Sequence, residues 1–193
     1  MTVGRLDLNS EGLLLLTNDG GIKRRLELPS TGWLRRYRVR VNGKPTDEMM
    51  APLRNGLVLD GERFQPMDIQ IDRQKGSNAW LTVALREGKN REIRRALADL
   101  GLVVNRLIRV SYGPFQLGTL ASGAVEEIRR RVLRDQLGVD GEDTPPDQSH
   151  NVAANRRAGT KPSLTLHRAG LSFAGIRIKD APMLVTILAF GLL

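Results

Sequence analysis

The stretch GRLDLNSEGLLLLTNDG, Gly4 to Gly20, decides how this chain is read. Its centre, Gly12 to Thr17, is a continuous apolar run closed by the turn Asn18-Asp19-Gly20. A short apolar run bounded by turn residues is the pattern of a buried strand. Asp7 stands just before that strand, beside Arg5 and near Gly4. A carboxylate held ionised by a neighbouring guanidinium suits a nucleophile and not a general acid. The same spacing also fits a turn aspartate that caps its own backbone.

Working outward, strands alternate with helices as far as residue 139. Ile22 to Leu28 predicts a short helix stopped by Pro29. Arg36 to Val41 alternates Tyr37, Val39 and Val41 with three arginines, a strand with one apolar and one basic face. Thr46 to Leu53 opens with a capping Thr and Asp and carries Met49, Met50 and Leu53. Met67 to Ile71 and Trp80 to Leu85 are further alternating strands. Asn90 to Leu100 reads as a helix: Asn90 caps it, Ile93, Leu97 and Leu100 form its apolar stripe, and Gly101 ends it. Leu102 to Val110 returns as a strand, and Ala124 to Leu137 is a last amphipathic helix. The fold class is α+β: a mixed, largely antiparallel sheet with flanking helices.

Asp140 to Pro162 is polar and turn-forming, so 139–162 reads as a flexible linker. Residues 163–193 form a tail with a weak β-like pattern and an apolar end, attached to no core by the pattern alone. Ala181 to Leu193 is the longest apolar stretch, interrupted by Pro182, Thr186 and Gly191; a spanning helix needs roughly 20 such residues. Met1 to Leu8 has neither a charged n-region nor an apolar run, so a cytoplasmic chain is expected, most simply a monomer.

Composition narrows the chemistry. The 193 residues carry a formal net charge of +9 and no cysteine, which removes disulfides, thiolate nucleophiles and Cys-ligated metals. The only histidines are His150 and His167, so neither a Ser–His–Asp triad nor a multi-histidine metal site is expected. Of the 30 bases, 24 are arginine, the side chain whose planar fork pairs with phosphate and stacks on bases. Residues 1–139 hold 24 of those bases against 16 acids, so the polyanion-binding surface is expected there.

Two further segments carry chemistry. In Arg35-Arg36-Tyr37-Arg38-Val39-Arg40, a tyrosine within a basic strand is placed to stack an unpaired base while arginines hold phosphates; a core aromatic beside a solvated face gives the same string. In Arg86 to Arg95, a Gly turn and several bases surround a helix N-terminus. Asn90 and Arg94 share one helix face and Arg91 and Arg95 another, which an ordinary charged helix would also show.

Together these segments resemble the RsuA/RluB-type ribosomal RNA pseudouridine synthases. Gly4 to Gly20 is similar to that family's signature, with the Tyr37 strand, GKNREIRRAL and NRLIRVSYGPFQLG (Asn105 to Gly118) at family-like spacing. The resemblance covers residues 3 to 137. It implies the pseudouridine synthase catalytic fold over 1–138, Asp7 as the catalytic aspartate, Tyr37 as the base-stacking residue, and Arg94 as its salt-bridge partner. Arg5, Lys89, Arg91 and Arg95 are the candidate RNA-binding residues. Members carry an S4-like domain and a further strand before the GRLD motif, so the expectation is a catalytic domain lacking both. Ser10 stands where the family more often has Thr.

The implied reaction breaks the N1–C1′ bond of a uridine in ribosomal RNA, of the large subunit by analogy, turns the uracil and rejoins it through C5, with no cofactor and no metal. Extruding the uridine costs a few kcal/mol, and an aromatic platform offsets ~1–3 kcal/mol of that. One carboxylate suffices because the base never leaves, whereas glycoside hydrolysis needs a second to activate water. The alternative is an RNA-binding protein without catalysis.

Overall fold

The computed structural model describes residues 1–138 and the backbone of 186–190. The linker expected at 139–162 and the rest of the tail, His150 and His167 included, lie outside the described residues. In order, the elements are β1 (Thr2–Val3), β2 (Glu11–Leu16), α1 (Gly20–Glu27), β3 (Arg35–Asn42), α2 (Asp47–Asn55), β4 (Leu57–Leu59), β5 (Glu62–Phe64), β6 (Asp68–Lys75), β7 (Asn78–Leu85), α3 (Glu92–Asp99), β8 (Val103–Tyr112), β9 (Phe115–Gln116), β10 (Val125–Glu127), α4 (Arg130–Leu137) and β11 (Thr186–Phe190). The main sheet runs β10-β11-β2-β8-β3-β7-β6. Among the described residues only β2 and β8 pair in parallel, so the sheet is mixed and largely antiparallel, on an α+β plan.

Local chemistry sets the element ends. Asp19 caps α1, its Oδ1 accepting from the amides of Gly21 at 2.6 Å and Ile22 at 3.1 Å. Thr46 caps α2 through the Met49 amide at 3.3 Å. Asn90 does not cap α3. Arg91 stands at the cap in a left-handed conformation (φ 48°) with no side-chain cap bond; Glu92 instead reaches back to the Lys89 amide at 3.0 Å. The last helix is also shorter than its pattern: Val125–Glu127 is strand β10, because β11 offers it an antiparallel partner (Val125 opposite Leu188).

β11 is the piece of the tail that joins the sheet. It lies antiparallel to β2, Thr186 opposite Leu16 through Phe190 opposite Gly12. Along β2 Leu13 and Leu15 are fully buried and Leu14 and Leu16 half-buried, so neither face is open to water and the run is apolar without alternation.

Two apolar cores share the sheet. One gathers Val39, Leu81, Val83 and Leu107 with Met50 and Leu53 of α2, Ile93 and Leu97 of α3, and Phe64. The other gathers Leu13 and Leu15 with Ile22 and Leu26 of α1, Tyr112, Phe115 and Leu133 of α4. Strand β8 contributes to both, and the residues between Leu107 and Tyr112 stand at the seam.

Candidate active site

At that seam is a cleft of about 450 Å³, whose lining includes Gly4, Arg5, Asp7, Lys23, Glu27, Arg35, Tyr37, Lys89, Arg109 and Tyr112. It thus brings together Arg5 and Asp7, Tyr37 and Lys89, residues from three separate places in the chain.

Asp7 lies in the loop between β1 and β2. Its backbone carbonyl accepts from the Ser10 amide at 3.0 Å, which closes the turn. Among the described residues no hydrogen bond or ion pair takes up its half-buried carboxylate, so the side chain does not cap the turn. The expected salt bridge to Arg94 is not formed either. Arg94 spends its guanidinium on two backbone carbonyls, Asn9 at 2.7 Å through Nη2 and Val104 at 2.9 Å through Nη1. Burial and the nearby Arg91 charge lower its pKa, while the Asp7 charge opposes that lowering. Arg94 therefore holds the loop in place and acts on Asp7 through space.

Tyr37 is half-buried on β3, packed against the first core. In register it lies between Val83 of β7 and Arg109 of β8. Burial pushes its phenol pKa up, the Arg109 and Arg35 guanidinia pull it down, and the Asp7 charge pushes it up again. Its hydroxyl is therefore neutral and stands within the field of one acid and two bases.

The other candidates divide. Arg5 is exposed at the cleft. Lys89 lines it but is already held, bonded to the Arg63 carbonyl and 3.2 Å from Glu87. Arg91 is exposed and lines a separate shallow groove with Arg94. Arg95 is turned away from the cleft. It pairs with Glu62 at 2.7 Å and Asp60 at 3.5 Å and lies over the Phe64 ring. Those acids sit on the β4–β5 hairpin, which the sequence reading did not assign.

Three contributors were missed. Arg109 is 2% exposed; its Nε donates to the Leu13 carbonyl at 2.8 Å and its Nη1 to the Arg5 carbonyl at 3.2 Å. Tyr112 lies under two guanidinia, with Arg35 at 4.8 Å and Arg109 at 5.3 Å from its ring centre. Its hydroxyl donates to the Leu26 carbonyl at 2.8 Å and accepts from Arg35 at 3.1 Å. Glu27 holds the Gly4 amide at 2.7 Å and pairs with Lys23. The signal for Arg109 was parity: in β8 it shares a face with buried Leu107 and Ser111, and a charge on the buried face of a strand marks a site.

The chain belongs to the RNA pseudouridylate synthase family, whose model matches residues 1–99. It is 48% identical over 133 residues to an RNA pseudouridine synthase of Rickettsia felis, covering 69% of this chain and 58% of that one. To the ribosomal large subunit pseudouridine synthase B of Pseudomonas aeruginosa it is 42% identical over 144 residues, covering 72% and 37%. A crystal structure of a pseudouridylate synthase superimposes with a TM-score of 0.55 at 28% identity, covering 60% of this chain and 50% of that one. The chain thus spans little more than half the length of the first of these relatives. Among the described residues no helix is long and apolar enough to cross a membrane.

Proposed function

We propose that this chain isomerises a uridine of ribosomal RNA, of the large subunit by its likeness to the Pseudomonas relative, to pseudouridine, with Asp7 as the catalytic carboxylate. The observation that carries the reading is the free Asp7 side chain facing a basic cleft beside Tyr37. The extruded uridine stacks on Tyr37, and Arg5 at the rim meets its phosphates. Asp7 then acts at the sugar, either attacking C1′ or taking the C2′ proton. In both routes the C1′–N1 bond breaks with its electron pair on the uracil. The base turns and C5 bonds to C1′ as Asp7 leaves C1′ or returns the C2′ proton, and the C5 proton is lost as N1 gains one.

The C5 hydrogen provides the assay, because ribosomal RNA carrying [5-³H]uridine releases tritium only when C5 is rejoined to sugar. The full chain is expected to release it and Asp7→Asn to lose at least ~10²-fold of the rate, with RNA affinity within about twofold of the parent. An Asp7→Asn protein releasing tritium at the parent rate refutes the assignment. Salt-sensitive RNA binding by the parent without release would favour the binding-only alternative.

A further inference from the structure

Arg109 has no place in that scheme, yet its setting calls for one. It is a buried guanidinium, and among the described residues no carboxylate lies within 4 Å of it. Its two bonded nitrogens reach only backbone carbonyls, and its Nη2 is shielded from solvent without a hydrogen-bond partner. Its neighbours, two backbone carbonyls, the Tyr37 hydroxyl and the face of the Tyr112 ring, carry no compensating charge; a buried cation without a counter-charge is costly, and an Nη2 left without a partner of its own adds to the cost. A site keeps such a group where a negative charge arrives during turnover.

The position says which charge. Arg109 sits opposite Tyr37 in the β3–β8 register, beside the Tyr37 hydroxyl and deep in the cleft, whereas exposed Arg5 stands toward solvent. Phosphates of an extruded nucleotide stay with the strand, at the rim; the base enters to the depth of the tyrosine. Resting on the proposed isomerisation, we propose that Arg109 is a further catalytic residue: its Nη2 donates to a uracil carbonyl oxygen and stabilises the negative charge the base acquires when the C1′–N1 bond breaks. The electron pair of that bond delocalises onto O2 and O4, so the oxygen facing Nη2 becomes a stronger acceptor in the transition state than in the bound uridine. The contact therefore lowers the barrier more than it tightens binding.

The test uses the full chain and large-subunit ribosomal RNA transcripts labelled with [5-³H]uridine, or with its 2-thio or 4-thio analogue, sulfur being the poorer acceptor. Arg109→Met is expected to slow tritium release ~10²–10³-fold, with RNA affinity and the salt slope unchanged and Arg109→Lys intermediate. One thio analogue is expected to lose at least about tenfold more rate with the parent than with Arg109→Met, a comparison that removes the analogue's own leaving-group chemistry. Equal thio effects in the two proteins overturn the proposal. So does a loss confined to affinity with a reduced salt slope, which marks a phosphate contact. Should Arg109→Met fail to fold, the parent alone decides: turnover of both thio RNAs within about twofold of uridine overturns the proposal. These failures leave Asp7→Asn inactive and the parent active, whereas no release by the parent, or full release by Asp7→Asn, removes the underlying isomerisation.

Discussion

Gly12 is where the two halves of the site are joined, and replacing it tests that joint. Strands β2 and β8 pair over only two positions, Glu11 with Ile108 and Gly12 with Arg109. A Cβ on Gly12 would stand 2.3 Å from the Arg109 carbonyl oxygen and 2.8 Å from its nitrogen, both backbone atoms, at a φ of +101°. The unfavourable φ costs about 1–2 kcal/mol. Separating the strands costs about 1–3 kcal/mol more, so Gly12→Ala should lose ~2–5 kcal/mol. For a domain of this size, ~3–4 °C per kcal/mol translates that into a melting temperature lower by roughly 6–20 °C. Gly61→Ala is the matched control: its φ is +76° but nothing lies within 4 Å of the added carbon. Only the backbone term applies there, about 1 kcal/mol and ~3–4 °C. Thermal unfolding by circular dichroism of the parent and both variants decides the matter. If Gly12→Ala melts no lower than Gly61→Ala, the close approach of β2 to β8 is not what the coordinates imply.

Two further outcomes follow from the same structure. Glu92 is buried, and that burial together with the neighbouring Glu87 carboxylate pushes its pKa up to about 8. Because the folded value lies above the unfolded one, the stability this proton confers is fully present below the ordinary Glu range and lost as pH rises through about 8. Melting temperature should fall between about pH 4.5 and 8 in the parent, level off above that, and stay nearly flat in Glu92→Gln; an identical fall in both would rule out Glu92 as its source. Leu188→Pro removes an amide from β11 at the point where it faces Leu14 and Val125. It should destabilise the protein by about 1–3 kcal/mol and speed amide hydrogen exchange along β2; unchanged exchange there would show that β11 does not cover that edge.

How legible the molecule was depended on whether the determinant was local. The run Gly12 to Thr17, the turn Asn18-Asp19-Gly20, the Thr46 cap and the alternation of β3 and β7 are set by neighbours in sequence, and the reading found them; that Asp19 also caps α1 it did not name. Strand β10 was read as helix because its partner, β11, lies some sixty residues away, and an amphipathic pattern does not announce a distant strand. The β4–β5 hairpin was legible in principle: Asp60-Gly61, both at positive φ, is a favoured two-residue turn. Missing it left Arg95 assigned to RNA, whereas the hairpin's Asp60 and Glu62 take it up. Asn90 lost the cap of α3 because Glu92 reaches back to the Lys89 amide, a competition between two side chains that spacing alone does not rank. The residues around Asp7 were found, but the way they are held was not, since that depends on backbone carbonyls.

The holding of Asp7 explains why its carboxylate is free. Two guanidinia clasp its loop, one on each side: Arg109 takes the carbonyl of Arg5, two residues before Asp7, and Arg94 that of Asn9, two residues after. Asn9 is itself left-handed, at φ 65°, a conformation that an extra bond to its carbonyl helps to fix. A direct ion pair would have oriented the carboxylate equally well, but it would occupy the oxygens that the proposed reaction uses at the sugar, and breaking it inside the cleft would add to that barrier. Binding the backbone instead fixes the position of the carboxylate while leaving its lone pairs unspent. In this arrangement the arginines are selected for reach and for the fork that spans two acceptors. A lysine at either position would keep the charge and lose the clasp.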